Sequence, residues 1–303
     1  MTIMTDFQQK MTDLLPGLEL RLEETMAKHT SFRIGGPAEV MAFPKSPEEL
    51  SEILKVSKIL DCKPAILGAG TNVLAPDAGL RGLVICLKDG MDGMERIDDC
   101  HIRVAAGVTM ARAAMFAANL SLSGLEFAHG IPGTVGGGVY MNAGAYGGEI
   151  CQVCTKVTVM DMQGEIHIYS CEEMAFSYRH SRLEEEGGIV LSAEFCLMPK
   201  PECEIRDLMR DLMTRRRNSQ PLDLPSAGSA FKRPVGGYAA ALIDQAGLKG
   251  YCVGGAAVSE KHAGFVVNLG GATAENVKEL LNNVSDDVYE KTGIRLEPEV
   301  RIW

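Results

Sequence analysis

Gly124-Leu-Glu-Phe-Ala-His-Gly-Ile-Pro-Gly-Thr-Val-Gly-Gly-Gly-Val-Tyr-Met-Asn-Ala-Gly-Ala-Tyr-Gly-Gly148 decides the reading of this chain. Nine of its 25 residues are glycine, and Glu126 is its one carboxylate. A flexible linker would carry Ser, Pro and charge in place of Val135, Val139, Tyr140 and Met141. Two readings of such a segment stand. Bare backbone can approach something flat or polyanionic closely, as for a cofactor with both rings and phosphates. Alternatively, the glycines mark tight turns in a β-rich core.

Short strands and helices flank this segment on both sides. Ser46-Pro-Glu-Glu49 opens a helix, with Ser46 as cap, Pro47 first and Glu49 closing a capping box. Leu50, Ile53, Leu54 and Leu60 give that helix its apolar stripe. Pro64-Ala-Ile-Leu67 predicts a strand, followed at once by Gly68-Ala-Gly70-Thr-Asn-Val-Leu74. Residues 81–87, 101–106, 153–160, 165–169 and 189–197 predict further strands, with Gly164 in a turn, and Thr109 to Asn119 a helix.

Composition shifts at Pro199-Lys-Pro201. Ile205, Leu208, Met209, Leu212 and Met213 then recur at helical spacing, and Gln220-Pro221 stops that helix. Its end, Arg215-Arg-Arg217, suits the helix dipole and an anion site equally. A helix is expected at about Tyr238 to Gln245, a strand at Phe265-Val-Val-Asn-Leu269, and a long helix from Thr273 to about Lys291 stopped by Gly293. Ile294 to Ile302 is expected as an edge strand because of Pro298. The C-terminal third therefore reads as a compact α+β unit.

The whole chain has 303 residues and a net charge of −10. That balance argues against nucleic acid as a main partner. No apolar run approaches a membrane span, and Met1-Thr-Ile-Met-Thr-Asp-Phe7 lacks the regions of a signal peptide. A cytoplasmic protein is expected, and nine scattered cysteines suit a reducing compartment. Cys151 and Cys154 form a lone CxxC without the further ligands zinc needs, so no metal is expected.

Gly68-Ala-Gly70 after a strand invites a Rossmann reading, but Val73 stands where a third glycine belongs, and Pro76 and Gly79 break the required helix. Leu67-Gly-Ala-Gly-Thr-Asn-Val-Leu74, Gly130-Ile-Pro-Gly-Thr-Val-Gly-Gly137 and Asn142-Ala-Gly-Ala-Tyr-Gly-Gly-Glu149 instead resemble the UDP-N-acetylenolpyruvoylglucosamine reductase family. These are FAD enzymes of bacterial peptidoglycan synthesis. The resemblance continues through Thr30-Ser-Phe-Arg-Ile-Gly-Gly36, Tyr178-Arg-His-Ser181, Ala227-Gly-Ser-Ala-Phe-Lys232 and Leu296-Glu-Pro-Glu-Val-Arg301, in the family's order and over nearly the whole chain. It implies an α+β fold: an FAD-binding module of the vanillyl-alcohol-oxidase type over residues 1–199, with two α+β subdomains at about 1–88 and 89–199. A smaller α+β substrate-binding domain over 200–303 follows. Arg233 stands where the family often has Asn, and the connection from Ala257 to Phe265 is short. Both features resemble the branch without a substrate-covering Tyr loop.

The resemblance also implies roles. FAD is held non-covalently, with Arg33, Gly68, Ala69, Gly70, Thr71, Asn72, Gly133, Thr134, Gly137, Asn142, Gly144, Ala145 and Gly147 expected around it. NADPH is the implied hydride donor and a UDP-linked enolpyruvyl sugar the substrate. Ser229 matches the proton donor; Arg179 and Glu299 match the groups that polarise the substrate carboxylate and stabilise its enol form. Tyr178 is expected to orient the substrate, and Arg217, Lys232 and Arg233 to face its diphosphate. His129 reads equally well as a functional and as a core histidine. A monomer or weak oligomer is expected. A rival, another FAD-dependent oxidase or dehydrogenase of the same fold acting on an alcohol or hydroxy acid, explains the glycine blocks but not the set of Ser229, Arg179 and Glu299. A second rival, a non-catalytic nucleotide-sugar sensor, leaves that same set without a purpose.

Overall fold

The computed structural model describes residues 4–88 and 90–303; Met1, Thr2 and Ile3 of the N-terminal stretch read above lie outside them. Packing divides the chain into two compact units, each made of separate stretches. The first comprises Met1–Leu22, Glu39–Ala69 and Gly82–Arg215, the second Glu23–Ala38, Gly70–Arg81 and Arg216–Trp303. These compact units interleave along the chain, whereas the order expected for the domains is linear, 1–199 and then 200–303. The helix after the compositional break, Glu202–Ser219, buries Ile205 and Met209 in the first unit's core beside Ile102, Val157 and Phe195. Burial of those side chains, and not the local Pro-Lys-Pro signal, sets the boundary.

The first unit holds a five-stranded sheet. Its order is Ile166–Ser170, Cys154–Met160, Ile189–Cys196, His101–Ala105, Met94–Arg96, and every neighbour is antiparallel. Val157 and Val159 point into the core while Lys156 is exposed, the alternation a half-covered sheet requires. The helix Met110–Asn119 begins at Thr109, whose hydroxyl accepts the Arg112 N–H at 3.2 Å. Its buried face is Ala113, Ala114, Ala117 and Ala118, small enough for close packing.

A second core in this unit gathers Met11, Leu50, Ile53, Leu54, Leu83 and Ile85. The helix Pro47–Ile59 starts as expected, with Ser46 Oγ accepting the Glu49 N–H at 3.3 Å. The capping box is not closed as expected, because the Glu49 carboxylate reaches past Ser46 to the Lys45 N–H at 2.8 Å. A helix the sequence did not announce, Asp6–Leu14, is set by a full capping box between Thr5 and Gln8. Gly68 follows the strand Ala65–Leu67, which pairs in parallel with Val84–Cys86.

The second unit has an antiparallel sheet in the order Ser226–Ser229, Phe265–Asn268, Ala256–Val258, Cys252–Val253. The long helix Ala274–Thr292 covers its core with Val277, Leu280, Leu281, Val284 and Val288, and ends at Gly293 with φ +74°. Phe32, Ile34 and Leu74 bury in the same core, which is why their stretches belong to this unit. The closing edge strand is shorter than expected. Only Arg301–Ile302 pairs, in parallel with Val73–Leu74, and Pro298 makes a single bridge to Phe231. Proline has no N–H to continue the ladder.

Asp77 accepts from the first amides of the long helix, Ala274 at 2.8 Å and Glu275 at 3.3 Å. A carboxylate there satisfies orphan donors and complements the dipole. Asp77→Ala should lower stability by about 1 kcal/mol, read as a lower urea midpoint with unchanged slope. Asp77→Asn, which keeps the acceptor, should lose less.

Candidate active site

The expected residues fall in both units, and each set has its own local logic. In the first unit, glycine density serves packing more than openness. A Cβ at Gly148 would lie 2.5 Å from the Phe127 ring, and one at Gly136 2.9 Å from Ala106 Cβ. Gly124, Gly138 and Gly144 are crowded in the same way. Crowding of this kind fits the reading as packed turns, but other positions differ. Gly137 is exposed with its nearest neighbour, Thr134 Oγ1, at 3.7 Å from a built Cβ. Gly147, at φ +88° and exposed, has nothing within 4 Å.

Thr134 is 1% exposed and caps the short helix Val135–Tyr140, accepting the Gly137 N–H at 3.5 Å. The first two helical amides do not point outward. Val135 N–H donates to the Val108 carbonyl at 2.8 Å and Gly136 N–H to Ala106 at 2.9 Å. This helix start is thus tied to the core, and its open face at Gly137 offers close approach in place of those donors. Gly133, at φ +130°, accepts the Met110 N–H at 3.0 Å. Gly68 also passes tightly here, a Cβ on it lying 2.6 Å from Thr134 Oγ1, with half-buried Ala69 next to it. His129 Nδ1 is buried without a hydrogen-bond partner. Burial holds that imidazole below its usual pKa, opposed by a hydrogen bond with the Ala111 backbone. An orphaned buried ring nitrogen is rare in a folded protein.

Gly144 and Ala145 pair with Glu149 and Gly148 across a turn formed by Tyr146 and Gly147. Asn142, 2% exposed and at φ +42°, sits just before this hairpin. Its Nδ2 donates to Glu149 Oε2 at 3.2 Å and to the Ser177 carbonyl at 3.0 Å; its Oδ1 accepts the Cys151 N–H at 3.0 Å. Tyr178 and Arg179 form the tip of a tight turn closed by Ser177 and His180. Tyr178 is exposed, and the Arg179 guanidinium carbon lies 5.2 Å from its ring centroid. Ser181, fully buried, donates its hydroxyl to the Tyr140 carbonyl at 2.8 Å. Glu149, Ser177 and Ser181 were given no role in the sequence, although Glu149 and Ser181 each end a motif. Ser177 and Ser181 depend on partners 35 and 41 positions away.

Cys154 is buried and its thiol pushed up to about 12, mainly by desolvation and then by Cys171 and Cys151 nearby. Such a thiol is inert. Among the described residues no three metal-ligating side chains converge.

In the second unit, Ser229 ends the strand Ser226–Ser229 opposite Phe265. The register shifts between Ser226 and Ser229, and Gly228 at φ +76° carries the bend. A bulge of this kind re-aims the next side chain, and Ser229 is exposed. Glu299 comes alongside. Its N–H donates to the Ala230 carbonyl at 2.8 Å, and its own carbonyl accepts Asn72 Nδ2 at 3.2 Å. Arg301 N–H donates to the Asn72 carbonyl at 2.9 Å, so Asn72 holds the backbone on both sides of Val300, directly after Glu299. Lys232 continues the run, its N–H on the Glu297 carbonyl at 2.9 Å and its Nζ 3.4 Å from the Glu297 carboxylate. The structure therefore brings Ser229, Lys232, Glu299 and Asn72 together.

The remaining residues are more dispersed. Arg233 stacks its guanidinium 4.5 Å over the exposed Tyr238 ring. Arg217 is exposed near the end of its helix, where its carbonyl accepts Lys261 Nζ at 2.5 Å. Arg33 is exposed at φ +55°, and Thr71 is half-buried. Gly70 packs on backbone, its carbonyl accepting the Ser31 N–H at 3.0 Å, and a Cβ there would lie 2.1 Å from the His29 carbonyl oxygen.

Two family models match the chain. One, described as FAD binding domain, covers residues 38–170; the other, described as UDP-N-acetylenolpyruvoylglucosamine reductase, C-terminal domain, covers 220–303. The UDP-N-acetylenolpyruvoylglucosamine reductase of Agathobacter rectalis is 48% identical, covering 98% of each chain. That of Clostridioides difficile is 43% identical, covering 98% of this chain and 97% of its own. The crystal structure of the UDP-N-acetylenolpyruvylglucosamine reductase from Thermus caldophilus superimposes with a TM-score of 0.78 at 36% identity, over 94% of this chain and 98% of that one. The expected α+β fold with an FAD-binding module is thereby established.

The two kinds of glycine should separate experimentally. Gly148→Ala should cost about 1–3 kcal/mol through overpacking on Phe127, seen as a lower unfolding midpoint. Gly137→Ala should leave stability unchanged or raise it by up to about 1 kcal/mol. It should nevertheless weaken FAD retention on dialysis.

Proposed function

The chain belongs to the UDP-N-acetylenolpyruvoylglucosamine reductase family, and we propose that Ser229, Arg179 and Glu299 carry its chemistry, with NADPH as hydride donor. It is an FAD-dependent oxidoreductase that reduces the enolpyruvyl group of a UDP-linked sugar in peptidoglycan synthesis, giving UDP-N-acetylmuramate. The observation that best supports the proposed roles is the placing of Ser229 beside the Glu299 backbone, on a strand end bent outward at Gly228.

FAD, when bound, would supply the hydride chemistry between NADPH and the enolpyruvyl double bond. Gly137 and Gly147 are the residues of the first unit best shaped to let it approach, with Gly68, Ala69, Gly133, Thr134, Gly144 and Ala145 around them. Arg33, Thr71 and Asn72 are the candidates of the second unit. Arg179 serves the substrate carboxylate, because a guanidinium is always charged and meets a carboxylate with two parallel hydrogen bonds. Drawing negative charge toward the carboxylate favours hydride addition at the far carbon and leaves the near carbon basic. Glu299 stabilises that enol form, and its backbone is held by Ala230 and Asn72. Ser229 then gives its hydroxyl proton to the near carbon. A serine is a weak acid, so it transfers a proton only to a strong base held in place beside it. Tyr178 orients the substrate, and Lys232, Arg233 and Arg217 offer positive charge to the diphosphate. All nine cysteines are free thiols, which suits a reducing cytoplasm.

Ser229→Ala should divide the reaction in two. Reduction of the bound flavin by NADPH should persist, since that step needs no proton from Ser229. Reoxidation by the enolpyruvyl substrate should slow by roughly 10²–10⁴-fold in stopped-flow absorbance, and Ser229→Cys should recover part of it. Turnover of the alanine variant within about threefold of wild type would remove the role given to Ser229.

Arg233→Ala should raise the KM for the nucleotide sugar about tenfold, the loss of one charge-assisted contact. An unchanged KM would leave Arg233 a surface cation stacked on Tyr238 and pass the diphosphate to Lys232 or Arg217.

A further inference from the structure

We propose that Asn142 is a positioning residue for Arg179, acting through the Ser177–His180 turn rather than on the cofactor. The proposal rests on the substrate-carboxylate role given to Arg179 above.

Arg179 occupies the third position of a four-residue turn. Ser177 N–H donates to the His180 carbonyl at 3.1 Å and His180 N–H to the Ser177 carbonyl at 3.2 Å. Arg179 has φ +57°, whereas Tyr178 is not among the residues of positive φ. That is the geometry of a type II turn, whose third position takes glycine because a side chain there is strained. An arginine in this place persists only if the surroundings over-determine it. With glycine the turn would relax, but there would be no guanidinium to present.

Asn142 supplies the restraint. One amide hydrogen goes to the Ser177 carbonyl at 3.0 Å, the atom that also closes the turn. The other goes to Glu149 at 3.2 Å, while Oδ1 is held by the Cys151 N–H at 3.0 Å. Both donors are therefore committed within the protein, and the residue is 2% exposed. A side chain so placed has no hydrogen left for a cofactor. On the other side of the turn, Ser181 donates to the Tyr140 carbonyl at 2.8 Å. The turn is thus fastened at both ends to the segment leaving the short helix. Of the two fastenings, the Asn142 bond reaches the turn itself.

The decisive variant is Asn142→Gly. Glycine adopts φ +42° without strain, so the backbone path and the fold are kept while the amide is lost. Asn142→Asp provides a second probe, because it keeps the acceptor for Cys151 but sets a carboxylate oxygen against Glu149 and the Ser177 carbonyl. In both holoenzymes, FAD content per chain and the flavin absorbance spectrum should match wild type, and reduction by NADPH should stay within about twofold. Reoxidation by the enolpyruvyl substrate should slow about tenfold or more, with KM raised, as the guanidinium loses its orientation. Placed in an Arg179→Ala background, Asn142→Gly should slow reoxidation no further, within about twofold, because both changes remove the same interaction.

Loss of FAD from Asn142→Gly with normal reoxidation per bound flavin would overturn the proposal and make Asn142 a cofactor ligand. An equal slowing in the Arg179→Ala background would overturn it as well, since Asn142 would then act independently. If Arg179→Ala slows reoxidation and Asn142→Gly does not, this proposal alone falls. If Arg179→Ala reoxidises like wild type, the role given to Arg179 falls first and this proposal with it.

Discussion

The first unit depends on bare backbone packed against side chains between Thr134 and Glu149. Where glycine lies against Ala106, Met110 and Phe127, a single added methyl carbon would fall within 3 Å of a neighbour. Close packing of this kind has no slack to absorb it. Everything in the segment follows from that seat. The helix Val135–Tyr140 can begin directly off the core because its first amides bond to Val108 and Ala106. The Gly144–Glu149 hairpin then folds back against Phe127, and Asn142 is left buried at its root. Backbone bonds hold most of the segment, and its one carboxylate, Glu149, accepts from Asn142 Nδ2 at 3.2 Å.

Much of the fold was legible where signals are local. The helix Ala274–Thr292 announces itself by a cap at Thr273, a complete apolar period and a glycine stop. The helix Asp6–Leu14 does not, because its one deeply buried apolar residue is Met11 and its inward polar group, Gln8, is satisfied by the distant Glu39 carbonyl at 3.1 Å. The interleaving of the units is equally silent. Phe32, Ile34 and Leu74 look like ordinary apolar residues of the N-terminal region, and only the burial they share with Val277 and Leu280 assigns them elsewhere. Periodicity describes which face is apolar, but not which core the face joins.

The candidate site was legible as a set of residue blocks and illegible as geometry. Ser229, Glu299 and Arg179 stand out through the motifs that contain them. The division of glycines into packed and open ones does not, since Gly136 and Gly137 are adjacent, identical in sequence terms and opposite in use. Asn72 is similar. Its place after a glycine turn suggests a phosphate donor, whereas one side-chain hydrogen goes to the Glu299 carbonyl and its own carbonyl accepts the Arg301 N–H. Such residues are found by following the hydrogen bonds of the backbone they touch, which requires knowing what lies more than 200 positions along the chain.

The side chains proposed to act in the two units, Ser229 and Arg179, are presented by opposite means. At Ser229 the left-handed position falls on the preceding Gly228, so the strain is relieved by a residue with no side chain to lose. The strand then needs only its ladder with Phe265–Asn268 and the Ser31 hydroxyl on the Ser226 carbonyl at 2.6 Å. At Arg179 the left-handed residue is itself the one proposed to act, and no substitution could relax the turn without deleting the guanidinium. The restraint must then come from outside the turn. That difference accounts for the buried hydrogen bonds gathered around residues 177–181, and for how little of the kind surrounds residues 226–229. Buried polar groups cost stability unless satisfied, so the network around Asn142 persists because every hydrogen it offers has a partner.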